Sequence, residues 1–79
     1  MPTILIELGI RFHFFTRDHE PVHIHIQTGD GRAKFELIPE IRLVYHYGVK
    51  PKDLKNAENI IKERKEMFIQ AWRNVFGGE

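Results

Sequence analysis

Three histidines fall within seven residues, in the run Asp18-His19-Glu20-Pro21-Val22-His23-Ile24-His25-Ile26. Imidazole titrates closest to neutral pH of any side chain, and its neutral ring ligates divalent metals. Such a cluster therefore suits either proton transfer or metal chemistry. Val22, Ile24 and Ile26 alternate with His23 and His25, which is the period-two pattern of a strand with one apolar face. Strand side chains alternate between faces. If the aliphatic residues enter a core, the two imidazoles point together from the opposite side, onto a face expected to stay wet.

The elements that must position this run are legible from the same periodicity. Strands are predicted over about 3–8, 10–16, 22–28 and 32–38, with a fifth segment, 41–46, that reads as a short strand or an irregular crossing. In the first, Ile4, Ile6 and Leu8 share a face and Leu5 and Glu7 take the other, with Gly9 as the turn. In the second, Ile10, Phe12 and Phe14 oppose Arg11, His13 and Phe15. Pro21 lacks an N–H, so it suits the first position of a strand. Asp30-Gly31 predicts a two-residue hairpin turn with both residues at positive φ. That turn sets Ile26 against Phe35, Ile24 against Leu37, His25 against Glu36 and Gln27 against Lys34. A one-residue slip would put charge into the core.

A helix is expected over about 51–76. Pro51 suits its first position and Asp53 the positive end of its dipole. Leu54, Ala57, Ile61, Phe68, Trp72 and Val75 form an apolar stripe, Glu58, Lys62 and Glu66 a solvated ladder, and Gly77 a C-terminal stop. The expected fold is α+β, one domain over 1–79: a four- or five-stranded antiparallel β-meander with one long C-terminal α-helix packed on one face. The helix is longer than so small a sheet needs, so its end is expected to overhang, kink or join two copies as a homodimer.

Composition narrows the class. The chain has 79 residues, 42% of them hydrophobic, and no cysteine. A single-core globular domain is expected, without disulfides or thiolate metal sites. Net charge is +1, too small to mark a nucleic-acid binder on its own. The amino-terminal residues lack the basic region of a signal peptide and no apolar run could span a membrane. A cytoplasmic protein with no membrane partner is expected.

Met1-Pro2-Thr3-Ile4, Arg11-Phe12, the run from Asp18 to His25, Gly31 with Ala33-Lys34-Phe35, and Ala71-Trp72 with Phe76 together resemble a family of short bacterial proteins catalogued as domain of unknown function 4160. The Asp-His-x-Pro-x-His-x-His run is the most specific of these pieces. The resemblance implies membership of a small two-gene module of toxin–antitoxin type, with a cognate antitoxin-like partner.

Three chemistries fit the histidine face. The first is RNA cleavage, with His23 and His25 as acid and base, His19 or His13 in reserve, and Glu36 orienting His25. Arg11 and Lys34 would hold phosphate, with His13 beside them, and Phe15 would stack on a base. The second is a divalent-metal site on His23 and His25, with His19 or Asp18 as third ligand and an open position for water. The third is a non-catalytic protein-interaction module. A small toxin-like protein that cleaves or binds RNA is the leading expectation. It needs no cofactor, while a divalent metal is admitted by the histidine spacing.

Overall fold

The computed structural model describes residues 3–15 and 17–77. Among them, five strands run in chain order as one antiparallel sheet, β1 (Thr3–Glu7), β2 (Ile10–His13), β3 (His23–Gln27), β4 (Arg32–Glu36) and β5 (Arg42–Tyr47). Two helices follow, α1 (Pro51–Glu63) and α2 (Lys65–Phe76). The fold is α+β, and the segment read as strand or crossing is a strand.

The apolar face of the sheet carries Phe12, Ile24, Ile26, Ala33 and Phe35, all buried with Ala57, Ile60, Ile61, Phe68 and Trp72 of the helices. Phe12 stacks on Phe68 and Phe14 meets Trp72 edge-on, with ring centroids 5.4 Å apart in both pairs. Fully burying side chains of this size stabilises a small domain by about 1.5–3 kcal/mol each.

The first strand departs from simple alternation. A register shift between Thr3 and Leu5 places Leu5 opposite Phe12 and Ile6 opposite Arg11. Leu5 therefore packs on the core, and Ile6, expected inside, is 67% exposed on the histidine side. Glu7 moves to the helix side and pairs with Arg64 at 3.1 Å. Leu8, also expected inside, lies with Gly9 in the turn at φ 54° and 76°. Both residues at positive φ is the geometry expected of the later hairpin.

That later hairpin is shifted by two residues from the expected pairing. Ile24 faces Phe35, His25 faces Lys34, Ile26 faces Ala33 and His23 faces Glu36. A shift of two preserves every side chain's face, so the core is unaffected, but the cross-strand partners change. Gly29 and Asp30 make the turn. Thr28 Oγ1 accepts the N–H groups of Asp30 and Gly31 at 3.2 and 3.0 Å, and the Thr28 N–H donates to the Gly31 carbonyl at 2.8 Å. Gly31 is required for close approach. A Cβ there would overlap the backbone of Tyr47 and Gly48.

The single long helix is corrected to two. Arg64 takes φ −116°, ψ 23°, and no proline or glycine causes the break. A straight helix from 51 to 76 would be about 39 Å long, against a longest molecular dimension of 35 Å. Bending at Arg64 keeps Ala57 and Ile61 of α1 and Phe68 and Trp72 of α2 on one twisted sheet. Pro51 does open α1, and Gly77 does close α2 in the left-handed conformation. At the end of the stripe Phe76 packs inward and Val75 is exposed. No described helix is long and apolar enough to cross a membrane.

Candidate metal centre

Alternation along β3 holds: Ile24 and Ile26 enter the core, and His23 and His25 take the other face beside His13. That face is not wet at this end. His13, His23 and His25 are 3%, 3% and 7% exposed. The loop between β2 and β3 folds back over them. Phe15 meets His25 at 4.4 Å and His13 at 5.1 Å between ring centroids, and Trp72 closes the side of His23 at 4.9 Å. The His13 and His25 rings stack at 5.7 Å, while His23 and His25 stand perpendicular at 4.9 Å.

Asp18 enters this cluster from the loop. Phe15 N–H donates to its Oδ2 at 2.8 Å and the Asp18 N–H donates to the Phe15 carbonyl at 3.1 Å. This tight local turn fixes the carboxylate. Its other oxygen, Oδ1, lies 3.2 Å from His23 Nε2 and 3.3 Å from His25 Nε2. One ligand atom from each of Asp18, His23 and His25 lies within 4.8 Å of the others. Bonds of about 2.0–2.2 Å to one tetrahedral ion would set such atoms roughly 3.3–3.5 Å apart.

The protons favour the same reading. His23 Nδ1 is 2.7 Å from the Pro21 carbonyl. A carbonyl only accepts, so Nδ1 carries the hydrogen and the neutral ring has a bare lone pair at Nε2. Metal-binding histidines are commonly fixed by this kind of bond from the second ring nitrogen. His23 Nε2 is buried and has no aligned hydrogen bond, despite the carboxylate oxygen 3.2 Å away. Two lone pairs facing each other at that distance repel unless a cation or proton lies between them. Burial pushes the His25 imidazole below its ordinary pKa, an effect the Asp18 carboxylate partly offsets. Burial acts to raise the Asp18 pKa, but the Phe15 N–H and the neighbouring imidazoles outweigh it and hold it below the ordinary value. Neutral imidazole and ionised carboxylate are the ligand forms. His13 is driven furthest, down to about 4, by burial and by the charges of Arg11 and His25.

The other expected site residues fall into two groups. His13, Arg11, Phe15 and Lys34 do share the histidine side of the sheet. His19 does not join the cluster. It is exposed in the loop, its ring 3.3 Å from the Glu20 carbonyl, and Asp18 is the loop residue that reaches His23 and His25 instead. Glu36 does not orient His25. The two-residue shift sets it opposite His23, and its carboxylate binds Arg42 at 2.9 Å. Trp72, expected to fill the core or, on an overhanging helix, to meet a partner, is buried and also touches the site. No local pattern reveals that contact, because the helix and β3 meet only in the fold.

Residues 9–73 match the family model described as Domain of unknown function (DUF4160). The chain belongs to this family. The matched span includes Asp18, His23, His25 and Trp72. No curated protein and no solved structure matches the chain.

Proposed function

We propose that this member of the family is a divalent-metal protein whose ligands are Asp18 Oδ1, His23 Nε2 and His25 Nε2. The observation that carries the reading is the Nδ1–H bond from His23 to Pro21. It leaves a buried lone pair beside a carboxylate, with a second imidazole at hand. Two imidazoles and a carboxylate suit zinc, iron, cobalt, nickel or manganese over calcium or magnesium. Three protein ligands leave at least one coordination position, which a water molecule or another small ligand would fill beneath Phe15 and Trp72. The ion would supply a Lewis acid or a water of lowered pKa. Pro21 fixes the His23 ring, and the Phe15 amide fixes the carboxylate.

This reading is preferred to acid–base cleavage of RNA by His23 and His25. Both Nε2 atoms face Asp18, and both rings lie under Phe15 and Trp72. A scissile phosphodiester needs those nitrogens accessible. The toxin–antitoxin module rests on the sequence resemblance alone, and metal binding neither requires it nor tests it.

Metal analysis of untagged protein tests the proposal. We expect one zinc, iron, cobalt, nickel or manganese per chain after reconstitution, a rise in Tm that chelator reverses, and at least a hundred-fold loss of affinity in Asp18→Asn. Absence of binding at micromolar metal, with a Tm indifferent to metal and chelator, would remove the reading.

A further inference from the structure

Beyond the cluster, the same side of the sheet is organised in cross-strand rows. Arg11 opposes Gln27, Gln27 opposes Arg32, and Arg32 opposes Tyr47. In the next row His13 opposes His25, His25 opposes Lys34, and Lys34 opposes Tyr45. Directly opposed residues share a face, so four strands place three cations and two phenols together. A pocket of about 490 Å³ opens over these rows, within the size range of small-molecule sites. Arg11, Gln27, Arg32 and Tyr45 line it, Phe15 stands at one end, and the Thr28–Gly31 turn closes the other.

Of the charged side chains lining the pocket, the cations Arg11 and Arg32 outnumber the single acid, Asp30. The acids nearby are committed elsewhere: Asp18 to the two imidazoles, Glu36 to Arg42, and Asp30 to Lys50 at 3.4 Å. Among the described residues, Arg32 has no acidic partner, nor has Lys34, which stands in the next row outside the pocket's lining, and the Arg32 guanidinium lies 5.0 Å from the Tyr47 ring centroid. Arg11 and Arg32 flank β3 from opposite sides, with Cα atoms roughly 10 Å apart across two strand spacings. Two guanidinium groups at that distance can close on one phosphate lying over Gln27. Phe15 and Tyr45 are the aromatic rings that line the pocket beyond it, and aromatic side chains of this kind stack with nucleobases of any sequence.

We infer that this pocket binds a mononucleotide, its phosphate held by Arg11 and Arg32 and its base against Phe15 or Tyr45. The pocket meets the proposed metal site at His25, which lines it, whereas Asp18 and His23 do not; Arg11, Arg32 and Tyr45 are not proposed ligands, so binding measured with and without chelator separates the two sites. Phosphate recognition alone would not need the aromatic ends. A nucleobase alone would not need two guanidinium groups.

Calorimetry on the full chain, with and without chelator, provides the test. The probes are adenosine 5′-monophosphate, uridine 5′-monophosphate, adenosine, inorganic phosphate and an eight-nucleotide single-stranded RNA. A mononucleotide is expected to bind at least ten-fold more tightly than phosphate or adenosine, whether or not chelator is present. Arg32→Ala should weaken it ten-fold or more, while Tyr45→Ala should weaken the nucleotide and leave phosphate unchanged. Both side chains lie outside the apolar core, and circular dichroism would verify the fold. Three results would overturn the inference: a nucleotide no tighter than phosphate, affinity indifferent to Arg32→Ala, or RNA bound at least ten-fold more tightly than either mononucleotide. The last would make the face a polymer track. Loss of nucleotide binding only in chelator would place the ligand on the metal and would also count against the pocket.

Discussion

Ile24 and Ile26 on one face of β3 and His23 and His25 on the other are all buried, but burial means opposite things on the two sides. The aliphatic pair meets Phe, Ile and Trp side chains of the helices and gains free energy by leaving water. The imidazole pair meets a carboxylate, a phenyl ring and an indole, and enclosing polar groups costs free energy unless they are satisfied. His23 Nε2 and His13 Nδ1 have no aligned hydrogen bond. Enclosing these groups costs free energy, and three potential ligand atoms lie within 4.8 Å of one another there, which is the ground for the metal proposal. The apolar face explains why the chain folds. The imidazole face explains why this loop folds back.

Breaking the apolar side should have the largest effect. Ile24→Ala is expected to cost about 2–5 kcal/mol in urea unfolding, with the same loss in the presence and absence of metal. A metal-dependent loss would mean the two faces are coupled through β3.

Acid should act mainly on the imidazole side. The His13 pKa is about 4 in the folded chain, against about 6.5 when unfolded. The folded state therefore binds fewer protons through that interval. The associated stability is complete above pH 6.5 and is lost as pH falls toward 4, by up to about 3 kcal/mol. The lowered His25 and Asp18 values act in the same direction. In chelator, the urea midpoint should fall steadily between pH 6.5 and 4, and His13→Leu should flatten that slope. An unchanged slope in the variant would show that His13 is not its source.

The smallest change sharpens the contrast. Ile6 is an isoleucine on the imidazole side of β1, 67% exposed. Ile6→Ala should shift stability by no more than about 0.5 kcal/mol. A loss near that of Ile24→Ala would mean that β1 follows simple alternation after all.

The difference between Ile6 and Ile24 also marks where local reading stops. Alternation predicts Ile24 correctly because β3 is regular and central. It fails in β1 because the register shift beside Ile4 reverses every later side chain. No residue type announces that shift. The Asp30-Gly31 signal placed the second hairpin on the right face but two residues out of register. The Thr28 hydroxyl and the contact of Gly31 with Tyr47 and Gly48 decided the turn instead. Of the candidate ligands, His23 and His25 were legible because they lie two apart on one strand. Choosing Asp18 over His19 depended on the path of a loop whose closure involves Phe15, two strands and Trp72.

The sequence by itself determined the alternation of β3 and β4, the class of the fold, and the sharing of one face by His13, His23 and His25. These follow from nearest-neighbour geometry, which fixes where successive side chains point. The tertiary structure alone decided that the shared face is covered, that a carboxylate reaches it, and that Arg11, Gln27, Arg32 and Tyr45 line a common pocket. Those facts depend on the register between strands and on the fold of one loop. Both are set by contacts among residues far apart in the chain, which no local pattern records.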